Sequence, residues 1–179
     1  MNCSNCGTEM IGTNCPACDR NLPDGARGPI DPTTGLMLAG FGRRLGQMFA
    51  DELILIIPVS VFIAVFDQVG GNFLGALAGF VLVGLYLFKL TSGAKGQTLG
   101  NRVAATRIRD AATGKMLTTK QALQRTVIVM FYFVTAFALP RALLVVVVAV
   151  AIIDNLYPLF DARNQTLHDK IVGTIVVVA

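Results

Sequence analysis

The sequence predicts an α-helical membrane protein: about four transmembrane helices, a small β element on the cytosolic side and a short cysteine-rich head. Three observations carry this. The 179 residues are 54% hydrophobic and only 15% charged, with a mean hydropathy of +0.63, whereas a soluble domain carries roughly a quarter charged residues. Several apolar runs reach the ~20 residues that a helix needs to cross a bilayer. All four cysteines lie at or before Cys18, which separates a head from a cysteine-free body.

The head reads "NCSNCGTEMIGTNCPACDR", with Cys3-x-x-Cys6-Gly and Cys15-Pro-x-Cys18. Two such turns closing on each other offer four thiolates in a tetrahedron, the donor set of a structural Zn²⁺. Residues 1–20 are therefore expected to be a zinc ribbon with Cys3, Cys6, Cys15 and Cys18 as ligands. A disulfide pair is the alternative, disfavoured in a reducing cytosol. Such a site has no open position for catalysis. Between Cys3 and Cys18 there is no Lys, Arg or aromatic residue, so nucleic acid is not an expected partner. A cytosolic protein partner or a folded cap suits the head better. Residues 21–40, rich in Pro and Gly and without periodicity, read as a linker.

The body, 41–179, divides into spans at about 45–66, 73–90, 122–139 and 142–160. No secretory signal is expected, because the first apolar segment begins only after residue 40. A polar turn at 67–72 separates the first two spans, and Gly75-x-x-x-Gly79 in the second offers a close helix contact. Residues 126–160 are too long for one helix and hold Pro140-Arg141 at their centre, so they divide there; a three-span arrangement is the main rival. From Lys89 to Arg125 there are eight Lys or Arg residues and one acid, Asp110. The positive-inside rule makes that loop cytosolic, which puts both termini on the cytosolic side of a bacterial inner membrane. Thr113-Gly114-Lys115 reads as a turn after a β-favouring stretch, and the Val-rich C-terminus is too short to span. Small strands are expected from both, pairing with each other at the membrane surface.

The first span opens with "GRRLGQMFADELILIIP". Arg44 and Asp51 lie seven positions apart, so they fall about 20° from each other around the helix, with Gln47 on the same stripe. Seven rises put Asp51 about 10 Å deeper than Arg44. An unpaired acid at that depth costs roughly 2–3 kcal/mol, so the stripe must face protein or a hydrated cavity. Three readings stay open: a topology anchor, a polar clasp, or a site for an ion or ligand. Asp154 is expected either to join that pocket or to sit at the interface. His168, the only histidine, reads as a solvated interface residue.

These residues resemble the RDD family of small membrane proteins, named for one arginine and two aspartates. "RRLGQMFAD" fits its first-helix pattern with Arg44 and Asp51, and "LHDKIVGTIVVVA" fits its closing pattern with Asp169. The segment "SGAKGQTLGNRVAATRI" and Arg125 are similar to its middle, although "GAKGQTLG" interrupts the usual Gly-Lys. The likeness covers about residues 38–179. It implies a multi-pass membrane domain, transport of an unidentified ligand or ion, and an Arg44–Asp169 pairing at the cytosolic face. The expected function is thus a small integral membrane protein, not an enzyme, either transporting through a site of Arg44, Gln47, Asp51, Asp154 and Asp169, or serving as a scaffold or assembly factor with the ribbon as docking head. Its expected surroundings are the lipid bilayer and other copies of itself, since four spans enclose little.

Overall fold

The computed structural model describes residues 29–138 and 141–179, with side chains at 133–144 excepted. The cysteine head and the first part of the linker, residues 21–28, lie outside the described residues. Helix α1 runs Phe41–Ser92 and is broken at Gly70 and Gly71. Gly71 has φ +70°, a left-handed conformation that only glycine adopts without strain. The chain reverses there, so α1 is a hairpin of two antiparallel arms. Gly75 sets their spacing: a Cβ on it would stand 2.9 Å from the Ile63 carbonyl oxygen. Both Gly75 and Gly79 are buried in this contact, the close approach that small residues permit between membrane helices.

A short helix α2, Leu99–Val103, and strand β1, Thr106–Asp110, follow. Helix α3, Thr119–Ala138, packs on α1, and α4, Arg141–Leu156, packs on α3. A 3-10 turn at Tyr157–Leu159 leads to α5, Leu167–Val172, and to strand β2, Thr174–Val178. The two strands pair antiparallel, Thr106 opposite Val178 and Asp110 opposite Thr174. Residues Ile175, Val176 and Val177 are buried on both faces of the sheet, which explains why this strand reads as an uninterrupted β-branched run. Ile108 and Val176 pack with Ala39, Leu117 and Ala122, while Ile175 and Val177 pack with Leu38 and Ala111. Thr98, Arg125, Asp154 and α5 all meet this end of the helices. The molecule is therefore a set of apolar rods standing on a small polar base.

The linker expected over 21–40 is, from residue 29 onward, part of that base. Ile30 bridges Met37, and Leu38 bridges Val177. Asp31 is fully buried and takes a two-pronged contact from Arg163, Nε to Oδ1 at 2.7 Å and Nη2 to Oδ2 at 2.9 Å. Pro and Gly mark turn chemistry equally well in a linker and in a tight ordered turn, and the distant Arg163 is invisible in the local sequence.

Helix α1 is the one described helix long and apolar enough to cross a membrane by length and composition, and none of its most apolar 18-residue window is buried. Its outward residues include Leu53, Ile57, Val69 and Phe73, each at least 70% exposed. That is far more contiguous apolar surface than water tolerates. The apolar stretch 145–159 is shorter.

Candidate functional site

Two polar clusters lie in the base, about two helical turns apart along the first arm of α1, from Arg44 to Asp51. In the upper one, Asp51 accepts hydrogen bonds from the Tyr86 hydroxyl, from Thr98 Oγ1 at 2.6 Å and from the Gly100 N–H at 2.7 Å. Tyr86 comes from the second arm, so this bond joins the arms. Thr98 is the N-cap of α2 and also accepts from the Asn101 N–H. Glycine is required at 100 because a Cβ there would lie 2.2 Å from the Gln47 carbonyl oxygen and 2.5 Å from the Asp51 carboxyl carbon. Gln47 continues the stripe downward, its Oε1 accepting from Thr106 Oγ1 at 2.8 Å. Among the described residues, Asp51 has no basic partner. Glu52, one position on, is exposed and has neither ion pair nor hydrogen bond among them.

The lower cluster centres on Asp169, which is fully buried. Arg44 Nη1 donates to its Oδ2 at 2.6 Å, and Arg125 Nη1 donates to its Oδ1. Arg125 also donates to Thr174 Oγ1 at 2.9 Å, whose hydroxyl in turn donates to Asp169 Oδ1 at 3.0 Å. Thr166 caps α5 and closes a capping box with Asp169. Burial alone would push the Asp169 carboxyl up; the guanidinium charges of Arg125 and Arg44 outweigh it and hold it well below the usual carboxylate range. Arg44 is 7% exposed, and its Nε and Nη2 are buried without a hydrogen-bond partner among the described residues.

Asp154, near the end of α4, joins this lower cluster through His168. Its Oδ1 accepts the His168 backbone N–H at 3.1 Å and its Oδ2 meets Nδ1 at 2.6 Å. Nε2 of the same ring is 3.7 Å from Asp169 Oδ1. His168 is 9% exposed, so the expected solvated interface histidine is instead a buried bridge between two aspartates. No short-range pattern links residues 154 and 168, which is why sequence reasoning missed it. Tyr86 was missed for the same reason, and Arg125, singled out through the family likeness, was not placed against Asp169. Thr166-x-x-Asp169 does carry a local signal, the capping-box spacing.

The five body residues expected to share one site thus divide. Arg44, Asp154 and Asp169 come together, and Gln47 and Asp51 form the second cluster. No group of three or more His, Cys, Asp or Glu among the described residues is arranged to hold a metal ion. Two apolar grooves lie against α3, and neither is lined by Asp51, Asp154 or Asp169.

The order of these elements, with an Arg and an Asp on the first helix and a second Asp on the last, matches a known family. The sequence profile of the RDD family fits residues 38–173. The chain belongs to the RDD family. Its members are membrane-associated, in keeping with the exposed apolar length of α1, and residues 38–173 are an RDD membrane domain of unassigned function. Arg44, Asp51 and Asp169 all fall inside the matched span. No curated protein and no solved structure matches the chain.

Proposed function

We propose that this RDD domain is a non-transporting membrane scaffold, in which the base clusters clamp four spans onto a rigid cytosolic platform. The spans are the two arms of α1, α3 and α4, with both termini cytosolic in a bacterial inner membrane. The observation that carries this reading is the buried Arg44–Asp169–Arg125 arrangement. It ties the first helix to α3 and to the last helix. A conduit needs a hydrated path and exchangeable partners, whereas Asp169 has both oxygens occupied by fixed donors. The reading is also non-enzymatic. His168 and Asp154 resemble a base and its orienting acid, but the free ring nitrogen faces Asp169 at 3.7 Å and not a nucleophile.

The head, residues 1–20, is the docking element in this reading, held by a structural Zn²⁺ on Cys3, Cys6, Cys15 and Cys18. Its support is the donor chemistry and spacing of the four thiols. Elemental analysis of the purified chain should give about one zinc per chain, and Cys3→Ser with Cys6→Ser should abolish it; zinc-free wild type would refute the ribbon.

One observation favours a second reading. Asp51 carries a carboxylate balanced by hydroxyl and N–H donors and by no cation, so it could take up an ion. Reconstitution in proteoliposomes decides between the two. The scaffold reading expects flux of H⁺, Li⁺, Na⁺ and K⁺ no greater than in protein-free vesicles, and flux well above that background overturns it.

A further inference from the structure

We infer that the two apolar grooves beside α3 form a binding site for one anionic glycerophospholipid, with its acyl chains in the grooves and its headgroup at Lys89 and Lys120. The inference rests on the membrane placement of α1 and α3, not on the scaffold reading. The larger groove, about 470 Å³, lies between the second arm of α1 and α3 and is lined by Phe80, Gly84, Phe88, Leu123, Val127 and Met130 among others. Thr126 also borders it, but its hydroxyl is committed to the Ala122 carbonyl at 2.9 Å. The smaller groove, about 360 Å³, lies between α3 and α5 and includes Gln124 and Ile171.

Both grooves share Leu123 and Val127, which are 52% and 58% exposed. These two side chains form a ridge with a furrow on each side, and a diacyl lipid can straddle it with one chain in each. A single helix from a second copy would fill one furrow and leave the other empty.

Charge selects the headgroup. Lys89 follows Leu85 by four residues on α1, and Lys120 precedes Leu123 by three on α3, so each continues a groove-lining stripe toward the base. Both are exposed, and neither forms an ion pair among the described residues. Neither lysine lines a groove, and helical spacing places each about one turn beyond a lining residue, on two different helices that border the larger groove. An anionic phosphate is the complementary group, and lysines near a membrane surface attract it.

Native mass spectrometry of the full chain, released from mixed micelles containing equal phosphatidylglycerol and phosphatidylcholine, tests this. Wild type should retain one phosphatidylglycerol in preference to phosphatidylcholine. Lys89→Gln and Lys120→Gln should each cut that preference by about fivefold. Val127→Trp, which fills the ridge from an exposed position, should reduce retention of both lipids while leaving the thermal midpoint unchanged. Equal retention of the two lipids by wild type would overturn the inference. So would an unaltered preference in the double lysine variant, or a lipid-free dimer in which Val127→Cys is cross-linked between two copies.

Discussion

At the scale of single residues, the decisive group is Asp169. Its charge is stabilised by two guanidinium groups that would otherwise be buried together without an acid. Asp169→Asn removes the shared counter-charge, and breaking a buried pair from one side costs about 3–5 kcal/mol. Thermal denaturation in detergent should show a large loss for this variant, far more than for Glu52→Gln at an exposed position. A pH dependence follows from the same group. Its folded-state pKa is depressed, so the stability it contributes is present above the unfolded carboxylate value of about 4 and is lost as pH falls below it. Acid titration of the unfolding midpoint should show a fall below about pH 4 in wild type and a shallower one in Asp169→Asn. The Arg44–Asp169 pairing could be expected from family likeness alone. Arg125 could not be placed beside Asp169, nor Asp154 beside His168, because these pairs lie 44 and 14 residues apart with no periodic pattern between them.

At the scale of elements, helix existence was legible and its breaks were nearly so. The polar turn at 67–72 contains the Gly70–Gly71 reversal, since a hairpin in an apolar run needs residues that permit a positive φ. The Gly75 and Gly79 contact was also readable, being a local spacing. The pairing of β1 with β2 agrees with the expectation drawn from an alternating β-favouring stretch, the turn signal at Thr113-Gly114-Lys115 and the Val-rich C-terminus. The ordered turn at 29–38 was not legible, because its anchor is Arg163. Nor was the role of α2, a five-residue helix whose N-cap Thr98 and Gly100 N–H hold Asp51. That contact can be tested directly. Gly100→Ala pushes a methyl into the Gln47 carbonyl and the Asp51 carboxyl, and overpacking of this kind costs about 1–3 kcal/mol. Gly46→Ala, on the same arm with open space around it, should leave the midpoint unchanged or raise it.

At the scale of the whole molecule, the apolar rods and the polar base have different tasks. The rods leave much apolar surface uncovered, as the bare apolar window of α1 shows, so lipid or further protein must cover them. The base closes the chain on itself, joining residue 44 to residue 169 and residue 31 to residue 163. Such long-range closure through charge explains why Asp31, Asp154 and Asp169 are buried and Asp51, Asp110 and Asp161 half-buried at one end, and why composition alone could not separate a clamp from a conduit. Asp51 is where the two accounts differ most. Proteoliposome flux and detergent unfolding, measured together on wild type and Asp51→Asn, test the clamp most directly. The account predicts no cation flux above empty vesicles in either protein and a lowered unfolding midpoint in the variant. Cation flux in wild type that Asp51→Asn abolishes, with the midpoint unmoved, would contradict it.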